Sequence, residues 1–518
     1  MSVDPGRTAT VIADALWSGL TRDEEACPDW LSHDRFVDLA SDQWGMPGQG
    51  LAIALGMAFA EQRLASRYEG IVDHRTWVLA SDADLLQDGS HEAASLAGQL
   101  GLNKLAVLAY EGELGLRDDL LDRFDGYGWH GLRVGDSEEA IRGALQAAID
   151  ERERPTLIAA QAWPERQDLR AQACRAMLAT AAAAPRPAWE VAAWAAAEPS
   201  RYREWRRTQA GLPPDALDAA LPTFDAGKAI APLDASEATL LAVARVMPEL
   251  VGVSALHAAG WACNGIALHG GLRPYARVRL EHSDQLWPAI RFAASQRLSM
   301  VYALSDDMAG QANRSVERLA ALRAIPGLAV IHPADAGETV EAWRAALRRS
   351  GPTALILARA SVPALGSRPP HGAFERAGAW TVREVDGRPD VVLIGEGPQV
   401  GLCLAAADLL RADGVAARVV SMPWRERLLT APRSCRDGLL CPGVPRVVVE
   451  AGHPNGSGTC AGPANRPAGS PWSDGSDGRG KDAQAMPQLG LTPGWVAAVA
   501  HDALAGASAS PWWCEHDA

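Results

Sequence analysis

The chain has 518 residues, enough for about three domains of ordinary size. Its net charge of −14 argues against nucleic acid or an anionic membrane surface as partner, and no run is long and apolar enough to span a bilayer. Eight scattered cysteines without a CxxC pair indicate neither a zinc site nor a disulfide framework. Met1 to Asp14 lacks the basic and apolar blocks of a signal peptide, so a reducing, cytoplasmic location is expected.

Gly45 to Gly50 precede a segment, Gln49 to about Ser66, whose apolar residues at Leu51, Leu55 and Phe59 have the spacing of a buried helix face. Glycines ahead of a helix let backbone approach a ligand, and close packing explains them equally well. Trp77 to Ala80 reads as a buried strand, Ser81 to Asp84 as a polar turn, and a helix opens near Ser90. A second strand follows at Leu105 to Leu108, completing a βαβ unit. Ligands of such units sit at the carboxyl end of the strand, which here is Asp82. Read from the residues alone, its carboxylate suits a cap on the neighbouring turn.

Asp122 to Asp136 reads as a turn entering a strand, and Leu157 to Ala160 as a last parallel strand. Residues 168–225, rich in Ala, Trp and Pro, read as a helical linker whose tryptophans anchor packing. Candidate strands Met300–Tyr302, Leu328–Ile331 and Ala354–Leu357 mark a second α/β domain. Val391–Ile394, Arg418–Val420 and Val447–Val449 mark a third. His453 to Gly480, dense in Gly, Ser and Pro, reads as a surface loop. The expected fold class is therefore α/β, with three doubly wound domains over residues 1–165, 226–366 and 376–518 and a linker over 166–225.

Several phrases carry a family resemblance. "GMPGQG", "HRTWVLASDADLLQDGSHEAASLAGQLGLNKLAVLAYE", "NGIALHGGLRPY", "LRAIPGLAVIHPADAGETVEAWRAAL" and "VVLIGEGPQVGLCLAAADLL" resemble transketolase text across all three domains. The resemblance implies thiamine diphosphate and magnesium as cofactors, ketol transfer between sugar phosphates, and a dimer with the cofactor between subunits. Carried over residue by residue, it implies cofactor contacts at Gly48 and Gly50, a metal ligand at Asp82, and a substrate phosphate ligand at Arg359. For Arg359 a surface ion pair is an equal alternative.

The chain departs from the family pattern where the chemistry resides. Ser81 and Ala83 replace the glycines that flank the metal-binding Asp, and Gly112 stands at the second metal ligand. Leu256 can fall at the position of the glutamate that activates the cofactor, and no Asp or Glu occurs between Leu250 and Leu280. Gln87 stands where a glutamate couples paired sites. The three aromatic pocket positions are Arg279, His282 and Gln285. The substrate histidines are absent from Ser305 to Asn313, and Leu233 stands where the family has a phosphate-binding arginine.

Scaffold phrases thus persist while cofactor and substrate positions change together. The expectation is a transketolase-like transferase, acting on sugar or ketose phosphates, that is repurposed away from thiamine-dependent ketol transfer. Arg279, Glu281, His282 and Asp284 would line the cleft, with His282, Asp284 and Arg279 as catalytic candidates and His282 as the acid or base. A solvated surface is the alternative for each. The competing expectation is a non-catalytic subunit that pairs with an intact transketolase, making a heterodimer rather than a homodimer.

Overall fold

A computed structural model describes residues 34–39, 49–111, 120–135, 137–161, 188–254, 258–306, 316–450, 467–468 and 491–505. Gly48, Gly112, Leu256 and most of the loop from His453 to Gly480 lie outside the described residues.

Among the described residues, the strands form three five-stranded sheets. The first contains β1 (Arg35–Asp38), β2 (Thr76–Ser81), β3 (Leu105–Glu111), β4 (His130–Val134) and β5 (Thr156–Gln161) in the order β1-β2-β3-β5-β4, parallel throughout. The second contains β6 (Leu250–Ser254), β7 (Arg273–Arg279), β8 (Val301–Asp306), β9 (Ala329–Ile331) and β10 (Thr353–Ala358) in the order β6-β7-β8-β10-β9. Its β7–β8, β8–β10 and β10–β9 pairs are parallel. The third contains β11 (Trp380–Arg383), β12 (Val391–Gly395), β13 (Ala417–Ser421), β14 (Arg446–Val449) and β15 (Pro467–Ala468), ordered β11-β13-β12-β14-β15. There β11 runs antiparallel to β13 at the sheet's edge, and the remaining pairs are parallel. The helices used below are α1 (Gly50–Arg67), α2 (Asp82–Leu85), α3 (Asp88–Gln99), α4 (Pro232–Val243), α5 (Ala258–His269) and α6 (Ala336–Arg348).

Contacts divide the chain into two compact units. One comprises Met1–Leu212 with Ala255–Pro274, the other Pro213–Ser254 with Tyr275–Ala518. In the first unit, all six residues of β2 are buried, as a near-continuous apolar run in a parallel sheet requires. Trp77 and Leu79 on β2 pack with Ala106, Leu108 and Ile158 and with Ile141 and Leu145 of the helix Glu138–Asp150. Ser137 starts that helix by accepting a hydrogen bond from the Ala140 amide. On another part of the unit α1 is buried along most of its length and crosses α5. The crossing brings backbones together at glycines: a Cβ on Gly56 or Gly265 would overlap a carbonyl of the facing helix.

Near the end of α5, His269 Nδ1 lies 2.9 Å from the Gly270 carbonyl, and its Nε2 lies 2.8 Å from His74 Nε2. A carbonyl can only accept, so Nδ1 of His269 carries the proton and its Nε2 accepts from His74. Trp194 and Trp205 make edge-on or stacked contacts with Tyr202, and Trp194 meets Tyr68.

In the second unit, α4 and α6 cover one face of the second sheet. Val301, Ala303, Leu355 and Leu357 on the strands pack there with Leu240, Val243 and Trp343. Asp335 caps α6 through the Glu338 amide at 2.8 Å. The carboxyl ends of β12 and β14 carry Glu396 and Glu450, both buried. Arg425 Nη2 reaches Glu396 at 2.9 Å and Glu450 at 2.7 Å, while Arg323 contacts Glu396 and reaches Glu450 at 3.1 Å. His332 is buried near this cluster, and burial followed by the charges of Arg323 and Arg425 pulls its pKa down to about 3.

Candidate functional site

The carboxyl end of β2 is where the βαβ rule places a ligand. Ser81 ends the strand in extended conformation and caps the short helix α2, so the expected turn is the first turn of that helix. The Asp84 amide donates to Ser81 Oγ at 3.2 Å, and Asp84 Oδ2 accepts from the Ser81 amide at 2.9 Å and from Ser81 Oγ at 2.8 Å. This is a capping box, in which serine and acid satisfy each other's end of the turn. Asp82 Oδ1 accepts from the Ala83 amide at 2.8 Å. Ser90 Oγ, on α3, donates to the Asp84 carbonyl at 2.8 Å.

Gly50, the first residue of α1, has a packing reason: an added Cβ would run into the Leu39 side chain. Gly89, at the start of α3, lies against Gln49, where a Cβ would come 3.1 Å from the amide oxygen. Among the described residues, no three His, Cys, Asp or Glu side chains converge in a way that could hold a metal ion.

Glu92 on α3 is a polar contact that sequence reasoning missed. Its Oε2 accepts from the Ala258 amide at 3.0 Å, at the start of α5. A carboxylate there meets the unpaired amides and the positive end of the helix dipole. The partners are 166 residues apart, so no local spacing signals the contact.

The second sheet presents a different edge. In the ladder, Arg279 at the end of β7 pairs with Ser305, and Ser305 pairs with Leu357 of β10. The Arg359 amide donates to the Asp306 carbonyl at 3.2 Å, extending the ladder one residue past β10. The Arg359 side chain is exposed, and Asp306 is buried.

Beyond β7 the chain turns through Leu280–His282 into the helix Ser283–Ser295. Glu281 takes two partners, Arg279 Nε at 2.8 Å and His282 Nε2 at 3.4 Å. Arg279 and His282 are half exposed, and Glu281 less so. The structure therefore brings Arg279, Glu281 and His282 together. It gives Asp284 a separate partner, Arg318, at 2.8 Å. Leu233, on the first turn of α4, packs against the core of the second sheet. A bridge between Ile230 and Val362 holds the approach to α4 beside the segment that follows Arg359.

Three family descriptions match the chain. The transketolase thiamine diphosphate binding domain matches residues 43–163, the transketolase pyrimidine binding domain residues 251–364, and the transketolase-like C-terminal domain residues 378–470. A transketolase of Geobacillus stearothermophilus is 32% identical over 86% of this chain and 87% of its own length. The chromosomal transketolase of Cupriavidus necator is 36% identical over 79% of this chain and 74% of its own. Among solved structures, transketolase from Leishmania mexicana superposes with a TM-score of 0.78 at 25% identity, covering 94% of this chain and 92% of that one.

Proposed function

The chain belongs to the transketolase family, and from that premise we propose that it acts on a small phosphorylated carbohydrate without ordinary thiamine-dependent ketol transfer. The family implies thiamine diphosphate and a divalent metal, and the donor set of this chain does not fit them. The observation that carries this reading is the capping box, in which Asp84 Oδ2 takes both the Ser81 amide and the Ser81 hydroxyl. The nearby Asp82 carboxylate takes the Ala83 amide. A hard cation needs several oxygen ligands, and Gly112 offers no side-chain oxygen where the family has its second ligand. Leu256 would leave the cofactor ring without a carboxyl partner.

The second sheet's edge supplies the alternative chemistry. Arg359 lies at the end of a parallel strand, where its guanidinium would bind a phosphate through paired N–H donors. His282, 3.4 Å from Glu281, would serve as the acid or base. Asp284 would act through Arg318, holding the first turn of its helix against that side chain.

The reading is tested by calorimetry on the purified chain. Thiamine diphosphate with magnesium should give no binding heat, and a phosphorylated sugar from a pentose and hexose panel should bind. Tight cofactor binding accompanied by ketol transfer would overturn it. Co-purification with a second, intact transketolase-type chain would favour the partner-subunit reading instead.

A further inference from the structure

We infer that Arg279 is a second anion-binding residue of this site, closing with Arg359 on one phosphate group of the substrate. The inference rests on the reading above that the substrate is phosphorylated.

Strand register carries it. Arg279, Ser305 and Leu357 form one lateral row across β7, β8 and β10. Lateral neighbours in a parallel ladder project to the same face, and alternate residues along a strand share that face. Arg359 lies two residues past Leu357 on a continued ladder, so it belongs to the same face as Arg279. Two strand spacings and two residues of rise separate the arginines, a Cα separation of about 12 Å. Two extended guanidinium side chains can meet on a single oxyanion across that span.

The surroundings support the assignment. On β8 and β10, Val301, Ala303, Leu355 and Leu357 of this face lie in the core, while on β7 Arg277, in the Ala303 row, is paired with Glu237 of α4. In the last row Ser305 is half-buried between the two arginines. Leu233 brings no charge from the start of α4. Arg279 thus restores, from the β7 side, a second cation for an anion seated at Arg359. Its 2.8 Å pair with Glu281 holds the guanidinium at the edge. Glu281 then competes with the incoming anion, and a phosphate dianion competes better than an uncharged hydroxyl.

The test is calorimetric titration of the full chain with a pentose 5-phosphate and with the unphosphorylated pentose. R279A should weaken binding of the phosphorylated sugar by about tenfold or more, and R279K by less, because lysine lacks the planar fork. E281Q should strengthen it several-fold by removing the competitor. Binding of the unphosphorylated sugar should not change in any variant. A purely structural role for Arg279 would not produce opposite signs in R279A and E281Q. If the native chain binds and R359A weakens binding while R279A and E281Q leave it unchanged, the inference falls and the functional reading stands. If the native chain binds no phosphorylated sugar, the reading falls and takes the inference with it.

Discussion

Gly56 and Gly265 hold reciprocal places where α1 and α5 cross. A Cβ on the first would overlap the Ala262 carbonyl, and a Cβ on the second would overlap the Ile53 carbonyl. Backbone cannot rotate away as a side chain can, so the helices would have to separate. Gly56→Ala and Gly265→Ala should each destabilise the protein by about 1–3 kcal/mol. Gly143→Ala, on an exposed turn of the helix Glu138–Asp150 with open space around it, should be neutral or slightly stabilising. Urea denaturation of the three variants tests the contrast. Equal effects at all three positions would show that the crossing is not tight.

The histidine pair gives a pH dependence with a defined sign. Burial, then the charge of Arg35, pulls the His269 pKa from 6.5 down to about 3 in the folded chain. The unfolded chain takes up this proton near 6.5 and the folded chain does not. The contribution is therefore intact above pH 6.5 and is lost progressively as the pH falls towards 3. Melting temperatures measured from pH 7.5 to 5 should drop, and His269→Asn should drop less across the same range. The variant should also start lower at pH 7.5, because asparagine can keep the contact to Gly270 but not the reach to His74. An identical slope in both proteins would exclude His269 as a cause.

The cluster of Arg323, Arg425, Glu396 and Glu450 is buried, with side chains 2–8% exposed. Removing one partner strands the opposite charges in a dry environment. Glu396→Ala should cost about 3–5 kcal/mol, measured by chemical denaturation. Because solvent ions do not reach buried pairs, raising the salt concentration should leave that cost nearly unchanged. A cost that disappears in high salt would mean the cluster is wet.

Asp84 makes a structural prediction and a metal prediction. Asp84→Ala should lower stability by about 1 kcal/mol through loss of the cap on α2. Magnesium at millimolar concentration, or its removal by a chelator, should leave the melting temperature of the native chain unchanged. A rise with magnesium and thiamine diphosphate that Asp82→Ala abolishes would restore the metal role of this turn.

Much of the architecture was legible in the residues. Trp77–Ala80, Leu105–Leu108, Leu157–Ala160 and Val391–Ile394 are apolar runs of strand length, and each lies within a strand. The helix expected over 49–66 runs from Gly50 to Arg67. The helix expected near Ser90 opens at Asp88, and Ser81–Asp84 forms part of a helix rather than a free turn. Short-range chemistry explains that difference: serine followed three residues later by an acid closes on itself whenever the backbone permits.

The site was less legible. Arg279, His282 and Asp284 read as one charged set along six residues of text, yet Glu281 gathers the first two while Arg318 takes the third. Gly50 reads equally as a ligand-facing or a packing glycine, and an added Cβ there would meet the Leu39 side chain.

From the order of its residues alone, the chain showed many of its central strands, its α/β class and its kinship, because apolar runs and turn chemistry act over a few neighbouring positions. It did not show β1, β6, β7 or β11. The folded molecule decided which charges meet. Arg279 and Arg359 fall on one face because the register aligns Arg279 with Ser305 and Leu357, two residues before Arg359, and Glu92 reaches Ala258 across 166 residues. Such pairings depend on strand order and register, and no short stretch of sequence contains either.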